Sequence, residues 1–391
     1  MINFLSPRKL KRLRFFKRRS TAGFTLLELL VAMIIGSLIV VALLTLVVQL
    51  TETNQKDAAR SQVQQDMQAA SDFIAQEMRE AVFVYNGECL KGNGTPTATD
   101  FSNRCPGIIN HIPPEMSQNG RTPVLAFWKT KKLPDKISKL CGAAAPDLND
   151  QTKAATNPLV LAGVPCLAGN SYSLVVYALD TQNPSNLWSG KARLIRYELS
   201  QFRDNAATEG DQNTGYVNPL QDPKYKFQQW PYAFDKNNTV IDRQTVALAT
   251  GVPGARNPGR PVIPTGDAPV LVDFVDDKKA GETLNDGGVA TVVPTPNCEE
   301  FGEDAAGRTN ALTPLAADNP PRGFYACVRG GGVVPTGGAT TARAGQNQDV
   351  LFVLKGNVTG QGGFFKTGEA NKERISPLQT RVLVRGVVEK P

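Results

Sequence analysis

The apolar run Leu29–Leu50 constrains this chain more than any other segment. Its 22 residues would span about 33 Å as an α-helix, enough to cross a hydrocarbon core of roughly 30 Å. Gly36, Ser37, Thr45 and Gln49 interrupt it only mildly. Ahead of it lie Arg8, Lys9, Lys11, Arg12, Arg14, Lys17, Arg18 and Arg19 with no acid among residues 1–23, and Glu52 and Lys56 follow it. By the positive-inside rule, residues 1–23 are expected in the cytoplasm and everything from about Thr51 on the other side. A cleavable secretory signal would be shorter and would end in an Ala-x-Ala-like site. The residues after Leu50, Thr51-Glu-Thr-Asn-Gln55, offer none. The only small-residue junction, Ala22-Gly23, precedes the run, so cutting there leaves the hydrophobic helix in the mature protein.

Charge and composition narrow the function. The net charge is +7, but eight of the 43 basic residues sit in the leader, which leaves 35 against 36 acids beyond Gly23. A nucleic-acid-binding domain would carry its excess on the folded body, so no nucleic-acid partner is expected. With 391 residues and 41% hydrophobic content, the chain can build one large domain or two ordinary ones around a packed core. His111 is the one histidine, which removes most His-based metal and catalytic arrangements.

Glu28 stands at the start of the apolar segment, where an ionised carboxylate is costly and therefore a functional candidate. If the chain is cut after Gly23, the new α-amine of Phe24 lies one helical turn away. The same amine on a neighbouring subunit can neutralise Glu28 as helices pack side by side. Gly23-Phe-Thr-Leu-Leu-Glu28 resembles the processing site of type IV prepilins and type II secretion pseudopilins. The resemblance implies a prepilin peptidase cutting between Gly23 and Phe24, methylation of the new N-terminus at Phe24, and Glu28 as the assembly glutamate. Many major pilins carry a proline near the position of Thr45. This chain has none between Phe24 and Tyr85, and Gly36-Ser37 is the weak point left in the helix.

From Thr51 to Val84 there is no Gly or Pro, and Val63, Met67, Ala70, Ile74, Met78 and Ala81 recur at helical spacing. Gln64, Gln68, Asp72, Gln76, Arg79 and Glu80 take much of the rest. Such a narrow stripe needs a partner surface, expected to be a sheet built by the rest of the chain. The domain reading is therefore a leader at 1–23, a transmembrane and assembly helix at 24–50, an amphipathic helix at 51–85 and a β-rich body outside the cytoplasm at 86–391. The fold class is α+β, one long N-terminal helix packed on a mostly antiparallel sheet domain with long loops.

In the body, strand-like runs cover 123–128, 172–179, 192–199, 270–275, 324–328, 350–354 and 380–388. In the third, Leu194, Tyr197 and Leu199 alternate with Arg193, Arg196 and Glu198, with Ile195 the exception. Val252–Gly266 and Leu312–Gln346 are rich in Pro and Gly and read as loops. Cys89, Cys105, Cys141, Cys166, Cys298 and Cys327 all fall in the external part, and an even number there favours disulfides. Fifteen pairings are open; the sequence-neighbour set, Cys89–Cys105, Cys141–Cys166 and Cys298–Cys327, is the expected one.

No catalytic or phosphate-binding motif is present, so neither an enzyme nor a cofactor is expected. His111 lies among turn residues and reads as structural or solvent-facing. Asp273, Asp276, Asp277, Glu282 and Asp286 suggest a calcium loop, but Lys278 and Lys279 interrupt them and favour a solvated loop, so no metal site is assigned. Tyr225–Phe234 holds five aromatics, which read as core more than as a sugar-stacking platform.

The body is large for a major pilin, which favours a minor component. Pro123–Pro134, Ser171–Tyr177 and Ala192–Tyr197, with Gln68–Met78 in the helix, are similar to cyanobacterial hormogonium polysaccharide secretion pseudopilins, nearest the C-type member. The resemblance covers roughly the first half of the chain and implies a part in exporting polysaccharide for gliding motility. A PilW-type minor pilin that primes or caps type IV pili is the alternative. Partners implied are the prepilin peptidase, other pilins or pseudopilins, the inner membrane and a polysaccharide.

Overall fold

A computed structural model describes residues 23–154, 156–219, 226–235, 237–244, 264–286, 289–298, 311–315, 320–330, 348–361 and 374–384. Residues 1–22 of the expected leader 1–23, Tyr225, the side chain of Asp286, most of Val252–Gly266, residues 331–346 and residues 385–388 of the last expected strand lie outside these. The chain divides into two compact units, Met1–Asn54 and Gln55–Pro391.

Helix α1 runs over Leu26–Arg79. Within the second unit its buried face is Ala59, Val63, Met67, Ala70, Ile74 and Met78, while Gln64, Gln68, Asp72 and Gln76 are exposed. The helix was expected to continue to residue 85, but it stops at Arg79 and Ala81–Val84 forms strand β1. The reason is local: Ala81-Val-Phe-Val84 is β-branched and aromatic, and it pairs antiparallel with the next strand.

The remaining elements follow in order. Helix α2 (Gly87–Lys91) precedes β2 (Arg121–Lys132). Helices α3 (Asp135–Leu148), α4 (Gln151–Ala154) and α5 (Pro158–Leu161) precede β3 (Asn170–Asp180) and β4 (Ala192–Ser200). Strands β5 (Tyr232–Phe234), β6 (Val240–Asp242), β7 (Val270–Val275), β8 (Thr283–Asp286) and β9 (Val289–Val292) come next. They are followed by β10 (Ala311–Thr313), β11 (Phe324–Arg329), β12 (Asp349–Leu354) and β13 (Leu378–Leu383). All seven expected strands are present, β7 with the expected ends and the other six with shifted ones. They belong to two main sheets, ordered β1-β2-β3-β4-β7 and β10-β11-β12-β13, and every pairing is antiparallel. The pairs β5-β6 and β8-β9 stand as small hairpins.

Both sheets share one core with α1. Leu125, Phe127, Val175 and Leu179 of the first sheet and Phe324, Phe352, Leu354 and Val382 of the second pack in the same cluster as Val63, Met67, Ile74 and Met78. The opposite face of the first sheet is covered as well. Trp128, Leu174, Val176, Tyr197 and Leu199 meet Cys89, Ile108, Phe227 and Trp230 from the connecting segments. This corrects the alternation expected in β4. Leu194 shares the helix-side face with Arg196 and Glu198, while Ile195, Tyr197 and Leu199 turn to the second cluster. A strand buried on both faces has no polar side to display.

Gln348, 7% exposed, links the two sheets. Its side-chain amide accepts from the Val84 N–H and donates to the Val84 carbonyl, both at 2.7 Å. It therefore acts as a one-residue strand along the outer edge of β1.

Candidate functional site

The N-terminal segment is built by local rules. Gly23, Phe24 and Thr25 precede the helix, and α1 opens at Leu26. Thr25 is its N-cap: the Glu28 N–H donates to Thr25 Oγ1 at 3.3 Å, and the Leu29 N–H donates to the Thr25 carbonyl at 3.2 Å. Thr25-Leu-Leu-Glu28 is thus a capping box by sequence, with Glu28 at the third helical position beside the positive end of the helix dipole. The carboxylate costly in an apolar segment is the residue type that a helix start favours.

Gly23 and Phe24 are exposed, and a Cβ placed on Gly23 would meet nothing within 4 Å. The scissile bond expected from the sequence therefore stands in open, non-helical chain. From Leu29 to Leu50 the large apolar side chains are all about half or more exposed. Water does not tolerate a continuous apolar surface of this size, so lipid or other apolar helices must cover it. α1 is the one helix among the described residues long and apolar enough to cross a membrane.

In the body, the structure pairs Cys89 with Cys105, Cys141 with Cys166, and Cys298 with Cys327. The first ties α2 to the loop beneath the first sheet, the second ties α3 to the segment before β3, and the third joins β11 to the chain ahead of β10.

His111 is buried, with Nδ1 2.9 Å from Gln244 Oε1 and edge-on contacts to Trp230 and Tyr232. Burial holds its pKa below the ordinary value against the opposing pull of Asp242 and Gln244. The acidic residues considered for calcium go to separate partners. Asp276 takes Arg374 at 2.6 Å, Asp273 accepts from the Gly190 N–H at 3.0 Å, and Glu282 pairs with Lys278 at 3.0 Å. Among the described residues, no group of three or more His, Cys, Asp or Glu could hold a metal ion. The aromatics Phe227 and Trp230 are core, Trp230 lying 5.3 Å from Trp128.

Reading the sequence did not single out Glu77. It sits on the buried face of α1 and is 6% exposed. Arg196 of β4 donates to both of its oxygens, Lys129 of β2 approaches at 2.8 Å, and the Tyr177 hydroxyl of β3 donates as well. Burial pushes the carboxyl up, but these three donors together outweigh it and hold the pKa below its ordinary value. One side chain thereby fixes α1 across three strands. The signal available was the spacing: Glu77 interrupts the apolar stripe between Ile74 and Met78.

Residues 18–44 match the model of the prokaryotic N-terminal methylation motif. No curated protein and no solved structure matches the chain. The motif implies processing by a prepilin peptidase and assembly with other pilins, and with the long apolar helix it suggests anchoring in a membrane. It supports a type IV pilin-like or pseudopilin subunit, a class that is structural rather than enzymatic.

Proposed function

We propose that the chain is a minor pseudopilin, a non-enzymatic subunit of a fibre related to type IV pili and type II secretion systems. The precursor is held in the inner membrane with residues 1–23 in the cytoplasm and the body in the periplasm. The leader is cut between Gly23 and Phe24, Phe24 is methylated, and residues 24–50 then pack against those of other subunits. One observation supports this reading: an open Gly23-Phe24 junction and a Thr25-capped helix start carrying Glu28 stand directly ahead of a helix surface whose large apolar side chains are exposed among the described residues. Three disulfides fit an oxidising compartment.

The fibre's task in this reading is polysaccharide secretion in support of gliding motility. A deletion strain tests it. Loss of exported polysaccharide with surface pili intact is the expected result. Absent pili would replace it with a minor pilin of the PilW type that primes or caps the pilus. The membrane step has its own test: the mature protein must begin at a methylated Phe24, and an intact Met1 or an end beyond Leu50 overturns it.

A further inference from the structure

At one end of the first sheet, four charged residues form a row across adjacent strands. Arg121 of β2 is in register with Asp180 of β3, Asp180 with Arg193 of β4, and Asp273 lies on β7 beside them. Arg121 Nε is 3.2 Å from Asp180, while Arg193 lies 3.7 Å from both Asp180 and Asp273. Arg193 is 1% exposed, and its Nη1 donates to the Gln182 carbonyl. Its Nε and Nη2 have no hydrogen-bond partner, and neither has Arg121 Nε. A buried guanidinium with unmet donors costs free energy unless something else accepts from it.

Of these, Arg121, Asp180 and Arg193 line a cleft of about 350 Å³, within the range of small-ligand sites, roughly 300–1,000 Å³. Glu115, Gln118, Asn183 and Trp188 complete its working surface. The loop that carries Trp188 is closed on itself. Asn183 Nδ2 donates to the Trp188 carbonyl at 2.6 Å, and the Trp188 N–H donates to Asn183 Oδ1 at 3.2 Å. The indole stands 5.5 Å from the Arg193 guanidinium. The aromatic is therefore positioned in advance, which lowers the ordering cost of binding.

The lining selects a ligand class. Its two arginines share the lining with the carboxylates of Asp180 and Glu115, so the field does not favour an anion. Phosphate or sulfate accepts hydrogen bonds only and would meet these carboxylates. A sugar hydroxyl both accepts from the partly exposed Arg121 guanidinium and the Gln118 amide and donates to carboxylate and amide oxygens. The apolar C–H face of a pyranose suits an indole.

We propose that this cleft binds a neutral saccharide, the body's own contact with a glycan chain. The proposal does not rest on fibre assembly, because every residue in it belongs to Gln55–Pro391.

Tryptophan emission provides the test, because Trp128 and Trp230 are fully buried and Trp188 is the partly exposed member of the three. The full chain, in a detergent without a sugar headgroup, is titrated with neutral gluco-, manno-, galacto- and xylo-tetraoses. Polygalacturonate and inorganic phosphate are titrated alongside. A saturable emission change with a neutral member is expected, with Kd on the order of 0.1 mM. By calorimetry, Trp188→Ala should weaken binding at least tenfold. The double variant Glu115→Ala/Gln118→Ala, at exposed positions that cannot upset the core, should weaken it several-fold. A response to polygalacturonate or phosphate alone, no response to any neutral member, or affinity unchanged in both variants overturns the proposal. Leader removal and fibre incorporation stay normal in these variants, which separates this result from the assembly reading.

Discussion

Arg196 closes a two-pronged grip on Glu77, Nε to Oε2 at 2.9 Å and Nη2 to Oε1 at 2.7 Å. The same Nη2 reaches Glu198 Oε2 at 2.7 Å, so one guanidinium serves a helix carboxylate and a strand carboxylate together. Bidentate pairing of this kind adds direction as well as energy, and it fixes the rotation of α1 on the first sheet.

Removing one partner from such a pair is worse than removing both, because the survivor stays buried without compensation. Arg196→Met is expected to destabilise by roughly 2–4 kcal/mol, moderated because Lys129 and Tyr177 still hold Glu77. The double variant Glu77→Leu/Arg196→Met should recover a large part of that loss. Urea midpoints of the two variants measure this; a double variant less stable than Arg196→Met alone would show that Lys129 and Tyr177 by themselves compensate the buried Glu77.

Acid should loosen the same interface. Burial pushes the Glu198 carboxyl up, but hydrogen bonds from Arg196 and Ser173 and the charges of Lys131 and Arg196 bring its pKa from 4.5 down to about 2. A folded-state pKa below the unfolded one means the contribution is complete above about pH 5 and is lost as pH falls through 4.5 toward 2. Glu77 acts in the same direction. Melting temperature should therefore fall more steeply between pH 5 and pH 2 in the native chain than in Glu198→Gln, and parallel curves would remove Glu198 from this role.

The amide of Gln348 gives a local test. Gln348→Ala leaves the Val84 N–H and carbonyl without their partners in a buried place, at about 1–3 kcal/mol. Hydrogen exchange at the Val84 amide should accelerate at least tenfold, with α1 amides near Val63 little changed. Gln348→Glu keeps an acceptor for the N–H but cannot donate to the carbonyl, so its exchange rate should fall between the two.

What was legible in the sequence follows the physics of each signal. The apolar run, the helical stripe from Val63 to Met78 and the longer strands were readable because each repeats a pattern over many residues. The end of α1 was not, because Ala81 continues the helical spacing while Val82-Phe-Val84 also suits a strand, and only pairing with β2 decides between them. The division into two sheets was hidden for the same reason: strand order depends on contacts far apart in sequence. Of the candidate site, Gly23, Phe24 and Glu28 could be found from a contiguous motif. Glu77 interrupts a helical stripe, but its partners, like the row Arg121, Asp180, Arg193 and Asp273, come together only across strands, where no local spacing marks them.

The last prediction separates the two properties of Glu28. At the third helical position it is the residue type that a capping box and the helix dipole favour, and in the proposed assembly its charge meets the Phe24 α-amine of a neighbouring subunit. Glutamine keeps the capping oxygen but not the charge. If pairing is what matters, Glu28→Gln and Glu28→Ala should both be processed at Gly23-Phe24 and both lose at least tenfold in fibre incorporation. If capping is what matters, Glu28→Gln should assemble normally and Glu28→Ala alone should fail. Mass spectrometry of the mature N-terminus and the amount of subunit in sheared fibres decide the matter. Gly23→Leu is the control: it should block cleavage, so its precursor retains Met1 and reaches no fibre whatever stands at position 28.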